Sequence, residues 1–199
     1  MRAGLLPHFP RPTLWKSMLP GVYACQESNS LPREERERRY VSDYLLQNHP
    51  QGGWVTNVPL GPIPEEITTR YGLTAGAKLF APSRPRIDAV LWTTPAYWLI
   101  EAKVREAKAA IGDLLVYKAL AEKTLDLPNY EGQPFRMRLV VPWALDWIRQ
   151  ASQAHDMELT IFLPPWVEGY VRERQNYFTR EARLSREEKM RLRRTFGLE

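Results

Sequence analysis

The segment RIDAVLWTTPAYWLIEAKV, residues 86–104, holds two β-prone runs, 86–92 and 97–104, separated by Thr-Thr-Pro-Ala. Short alternating runs of this composition, broken by turn residues, predict a β-hairpin. Alternation puts Trp98, Ile100, Ala102 and Val104 on one face of the second strand, so Glu101 and Lys103 take the other. Asp88 likewise has the opposite parity to Ile87, Ala89 and Leu91. With the reversal centred on Thr94-Pro95, Asp88 falls directly opposite Glu101, on a shared face with Cβ atoms about 5 Å apart. A slipped register moves Asp88 toward Lys103, still within one cluster. Two opposed carboxylates repel unless a cation lies between them. Such a pair suits a divalent metal, since Mg²⁺ takes one or two carboxylates and completes its shell with water and phosphate. Lys103 would then position or deprotonate the attacking water, or stabilise charge on a phosphorane-like transition state. The plain alternative is a solvated polar face with Lys103 as a salt-bridge partner.

Outward from the hairpin, SLPREERERRYVSDYLLQNHP (30–50) predicts a helix. Pro32 suits its first turn, Glu34, Glu35 and Glu37 favour its N-terminal end, and His49-Pro50 closes it. Its apolar face is Val41, Tyr44 and Leu45. GGWVTNVPL predicts a strand, and the Gly- and Pro-dense segment 59–85 a long connection. After the hairpin, REAKAAIGDLLVYKALAEKTL predicts a helix with Ala107, Ala110, Ile111, Leu114, Leu115, Ala121 and Leu125 on its apolar face. FRMRLVVPW reads as a central strand, ALDWIRQASQAH as a helix and ELTIFLP as a strand. Beyond Trp166 the chain reads as helical and basic. Ser185 and Glu188 form a capping box for a last short helix that Gly197 stops. The order predicts an α/β fold: a mixed central sheet of four to five strands flanked by helices, meander first and crossovers afterwards. The domain reading is an N-terminal arm (1–29), a core (30–165) and a basic helical C-terminal extension (166–199).

The chain of 199 residues is long enough for a substantial core, and its formal net charge of +5 favours an acidic partner, most often nucleic acid. Seven lysines leave most of the positive charge to arginine, whose planar fork suits phosphate. Cys25 is the lone cysteine, so a disulfide framework or thiolate zinc site is excluded. His8, His49 and His155 lie far apart and read as surface or loop residues. No apolar run reaches the roughly 18 residues of a membrane span. The proline-rich start is unlike a signal-peptide core. The expectation is a cytoplasmic protein with no membrane partner.

Asp88, the spaced Glu101-Ala102-Lys103, the hydrophobic hairpin and the helix after it resemble the PD-(D/E)xK nuclease superfamily, the restriction-endonuclease-like fold. The resemblance covers roughly residues 33–163. Arg86-Ile87 intervenes between Pro85 and Asp88, a tolerated variation of the pattern. Many members carry a glutamate in the first helix; ERRYVSDYLL resembles that pattern, with Glu37 the first choice and Glu34 the second. RecB-like members have Q-x-x-x-Y in the helix after the lysine; this chain keeps Tyr117 but has Asp113 in place of the glutamine, a departure from that branch. The resemblance implies a Mg²⁺- or Mn²⁺-dependent deoxyribonuclease, an endonuclease by expectation. Asp88, Glu101, the Ala102 carbonyl and Glu37 would serve the metal, and Lys103 would activate water. Lys78, Arg84, Arg86, Arg191, Arg193 and Arg194 are the candidate DNA contacts. Cutting both strands of a duplex would call for a homodimer, since one active site cuts one strand. The competing reading is a non-catalytic nucleic-acid-binding or protein-interaction module on the same scaffold.

Overall fold

In the computed structural model, residues 32–105, 107–177 and 180–196 are described. The proposed arm, residues 1–29, and the Gly197 helix stop lie outside them. The chain runs α1 (Arg33–Asn48), β1 (Trp54–Pro59), α2 (Glu65–Phe80), a 3₁₀ turn (Ala81–Ser83), β2 (Arg86–Trp92) and β3 (Tyr97–Ala102). It continues through α3 (Ala107–Ala121), β4 (Phe135–Val141), α4 (Asp146–Ala154), β5 (Met157–Ile161), α5 (Pro165–Tyr177) and α6 (Arg180–Thr195). The sheet is five-stranded in the order β1-β2-β3-β4-β5. β1, β2 and β3 are antiparallel neighbours, while β3, β4 and β5 run parallel. The protein is thus of the α/β class with a mixed sheet.

Alternation along β3 divides the core into two layers. Tyr97 and Leu99 pack with Ala110, Ile111 and Leu114 of α3 and Ile148 of α4. Ile100 and Ala102 pack on the other side with Tyr40, Val41, Tyr44 and Leu45 of α1. Trp166, Val167 and Tyr170 of α5 join that second layer, so the first turns of the C-terminal segment belong to the core. Two polar clamps fix α5 on α1: the Trp166 Nε1–H donates to Asp43 Oδ2 at 2.7 Å, and Arg36 Nη1 to the Tyr170 hydroxyl at 2.7 Å.

The hairpin register is Ala89 opposite Ile100, Val90 opposite Leu99, Leu91 opposite Trp98 and Trp92 opposite Tyr97. Continued by one residue, it sets Asp88 against Glu101. Simple alternation fails one step earlier. Ile87 packs in the same layer as Val90, although Ala89 and Leu91 lie in the other. The break falls where β1 pairs Thr56 with Ala89 and then Val58 with Ile87, passing over Asn57. Asn57 has φ 58°, a left-handed conformation that asparagine tolerates better than most residues. The pleat is therefore interrupted beside Asp88. The second strand is also shorter than predicted: β3 ends at Ala102, and Lys103 and Val104 lie beyond it.

Segment 59–85 is not a long connection, because α2 occupies its middle. Glu65 and Glu66 begin that helix and Lys78 lies in its last turn, complementing the dipole. Its glycines have positions to fill. Gly72, at φ 75° and ψ 164°, bends the helix through a conformation open mainly to glycine. A Cβ on Gly76 would meet Ile67 Cγ2 at 3.2 Å, so that glycine lets the two halves approach. Two other expectations change. Leu125 lies past the end of α3 and is exposed, as is Leu115. Ser185 lies inside α6 and caps nothing, because the Arg-, Glu- and Leu-rich sequence before it is itself a good helix former.

Arg84 corrects a functional expectation. Its side chain is buried and makes a two-pronged ion pair with Asp126, Nη1 to Oδ2 at 2.9 Å and Nη2 to Oδ1 at 2.7 Å. A guanidinium so held ties the start of β2 to the segment after α3 and is not a DNA contact. Arg84→Ala should destabilise the fold by about 2–4 kcal/mol, because it leaves Asp126 without its partner. A thermal melt checks this, with the double variant Arg84→Met/Asp126→Leu expected to recover part of the loss.

Candidate active site

Three elements bring four ionisable side chains to one end of the hairpin: Glu37 from α1, Asp88 from β2, and Glu101 and Lys103 from β3 and its exit. Lys103 Nζ lies 2.6 Å from Glu101 Oε1, 3.6 Å from Glu37 Oε2 and 3.8 Å from Asp88 Oδ2. Glu37 reaches the cluster from a helix that already packs Tyr40 and Val41, three and four residues on, into the core. Glu34, one turn earlier, is exposed. The Ala102 N–H donates to Asp88 Oδ2 at 2.9 Å and the Asp88 N–H to Glu101 Oε2 at 3.5 Å. Asp88 thus caps the end of β3 where regular pairing stops.

The electrostatics are strained toward negative charge. Glu101 is 2% exposed; burial first, then the Asp88 charge, push its carboxyl up to about 7. Burial also raises Asp88, with Lys103 and the Ala102 N–H opposing the shift. Lys103 loses solvation, yet the surrounding carboxylates raise it above the ordinary lysine value, so it is an ammonium at neutral pH. Tyr117 of α3 is drawn into the same field: burial, followed by the Glu101 and Asp113 charges, pushes its phenol up to about 12. Arg33 Nε pairs with Glu37 from the solvent side at 3.3 Å.

One ammonium among three carboxylates leaves a deficit of positive charge. Among the described residues no three His, Cys, Asp or Glu side chains already form a metal-holding set; the cation they surround is Lys103. The donor chemistry nevertheless fits a hard divalent ion. Asp88 and Glu101 supply carboxylate oxygens, and Mg²⁺ accepts two of these when water fills the remaining positions. The raised carboxyls mark where an added cation would be most favourable.

A carboxyl raised in the folded state binds more protons there than in the unfolded chain, so stability falls as pH rises between the two pKa values. Without metal, stability should decrease from about pH 4.5 to about pH 7 through Glu101, by an amount on the order of 2–3 kcal/mol. Lys103, also raised, contributes throughout this window and loses its contribution only in strong alkali. Denaturant melts across that range should show the decline, and Glu101→Gln should flatten it.

The other predicted contacts are spread over the surface. Lys78 is exposed on α2. Arg86 is exposed at the start of β2, donating to the Asn57 carbonyl at 3.0 Å and the Ala81 carbonyl at 3.4 Å. Arg191, Arg193 and Arg194 are exposed on α6, which packs on α5. Cations nearer the carboxylates escaped the sequence reading. Arg33, Arg36 and Arg105 line a cleft with Glu37, and Arg105 and Lys108 line a second with Lys103. Arg105 and Lys108 directly follow the acid-x-lysine, which was the available signal. His49, read as surface or loop, is the half-buried C-cap of α1, with Nε2 3.4 Å from Arg138 Nη1. Burial lowers its pKa.

The fold class and the charged cluster are what define the molecule: a mixed α/β sheet with a half-buried carboxylate–lysine set, centred on the buried Glu101, at a hairpin end. No family profile and no curated protein matches the chain. Among solved structures, a repair endonuclease from Pyrococcus abyssi is similar over 64% of this chain, at 15% identity and a TM-score of 0.41. The match covers 47% of that protein, so the chain spans about half its length. So slight a likeness does not bear on activity. Among the described residues, no helix is long and apolar enough to cross a membrane.

Proposed function

We propose that this chain is a PD-(D/E)xK-type nuclease that hydrolyses phosphodiester bonds in DNA with Mg²⁺ or Mn²⁺. The observation that carries the reading is the convergence of Glu37, Asp88 and Glu101 on Lys103. Asp88 and Glu101 would hold the metal, with the Ala102 carbonyl as a further oxygen donor and Glu37 at the rim. The ion, when bound, would polarise the phosphoryl group and activate water. Lys103, held as an ammonium, orients the attacking water and stabilises charge growing on the phosphate oxygens. Arg33, Arg36 and Arg105 border the cluster and supply contacts for the flanking phosphates. A binding-only module would need the four charged groups for structure alone, yet two of its carboxyls are disfavoured in the ionised state.

Incubation of plasmid, linear and branched DNA with Mg²⁺, Mn²⁺ or EDTA tests the proposal. Cleavage should require the metal, and undiminished cleavage in EDTA would sink it. Salt supplies a second check. If the α6 arginines contact phosphates, log K should fall with log salt by about 0.9 per duplex contact. Replacing Arg191, Arg193 and Arg194 together with alanine should flatten that slope. An unchanged slope would remove α6 from the DNA surface.

A further inference from the structure

Beside Lys103, at the carboxyl ends of the parallel strands β3 and β4, lies an open groove between the starts of α3 and α4. Trp143, Leu145 and Trp147 form its rim, and all three are exposed, the two indoles at 44% and 45%. Lys103, Arg105 and Lys108 supply its charge, and no carboxylate is among the described lining residues. Large apolar side chains are costly to leave in water and are ordinarily turned inward. The helix α4 is held to the core by other side chains, Ile148 next to Trp147 and Ala151 one turn on.

We infer that this groove holds the unpaired bases of a single-stranded DNA segment adjoining the bond to be cut, an inference that rests on the nuclease reading. Indole faces stack on nucleobases, and cations beside them neutralise the connecting phosphates. In a duplex the base faces are already stacked on one another, so only unpaired bases present a face to Trp143 and Trp147. Continuity fixes the geometry. Lys103 belongs both to the carboxylate cluster and to the groove wall, and Arg105 lines both this groove and the cleft beside Glu37. A strand with its phosphates along Arg105 and Lys103 would carry its next bases onto the indoles. An apolar protein partner is the poorer occupant, since Arg105 and Lys108 stand beside the indoles and no carboxylate is among the described lining residues.

The test is fluorescence anisotropy in EDTA, with labelled oligothymidylate and a blunt duplex of equal length, followed by cleavage assays on both. Wild type should bind oligothymidylate more tightly than the duplex. Trp143→Ala/Trp147→Ala should lose about ten- to a hundredfold for the single strand and little for the duplex, whereas the corresponding double Phe variant should retain most of the affinity. If the double alanine variant fails to fold, Trp143→Ser and Trp147→Ser singly carry the same comparison. Equal binding of both DNAs by wild type, or a folded alanine variant with unchanged single-strand affinity, would overturn the inference. The two readings fail separately. Tryptophan-dependent single-strand binding without cleavage in any metal keeps the groove and removes the nuclease. Metal-dependent cleavage that ignores both tryptophans keeps the nuclease and removes the groove.

Discussion

Asp88→Ala and Glu101→Ala should each lower metal-dependent cleavage by about 10³ or more, while DNA binding in Ca²⁺ stays near wild type. The size follows from what each carboxylate does. Opposed across the hairpin, they would share the metal ion in the proposed site, so losing either leaves one of its two carboxylate ligands. The loss should not come from unfolding. Both groups are disfavoured as anions in the metal-free fold, chiefly by burial, so removing one takes a poorly solvated charge out of the fold. Single-turnover rates with Mn²⁺, beside thermal melts of the same preparations, check both halves of the prediction. Glu37→Gln should cost less, because Glu37 lies at the rim and is shared with Arg33.

Lys103→Met should slow cleavage by at least about 10² with little change in metal affinity. Methionine keeps the stem that packs at the end of β3 and removes only the ammonium. In EDTA the variant should be distinctly less stable than wild type, because the ammonium contacts all three carboxylates. Saturating Mn²⁺ should recover much of that stability without recovering the rate. If Lys103 were only a salt-bridge partner, stability and rate would return together. Measuring both on one preparation separates these roles.

Much of this site was legible because it lies on a hairpin. Period-two alternation and a short reversal put Asp88 opposite Glu101, and the pairs from Ala89 with Ile100 to Trp92 with Tyr97 follow that register. The layer assignments of Trp98, Ile100, Ala102 and Val104 also follow from parity. Parity could not reveal the interrupted pleat, which depends on the left-handed conformation of Asn57 on the neighbouring strand. Glu37 rather than Glu34 reaches Lys103 because Tyr40 and Val41 set the rotation of α1. Helix α2 was hidden by its glycines, which read as loop punctuation while one makes a bend and another a close contact. Arg84 was misread for a related reason. Its partner Asp126 lies in the segment after α3, and nothing local signals that an arginine near a strand start will be buried. Trp143 and Trp147 read as ordinary members of a strand end and a helix, and only their exposure beside Lys103 sets them apart.

The central claim is that the carboxylates at the hairpin end form a metal site, and thermal melts of wild type and Asp88→Asn, with and without Mn²⁺, test it without any substrate. Asp88→Asn should melt above wild type in EDTA, because it removes one of two opposed charges. Mn²⁺ should raise the wild-type melting temperature by mass action and that of the variant far less. A wild type indifferent to saturating Mn²⁺, together with an Asp88→Asn protein less stable than wild type in EDTA, would contradict the account.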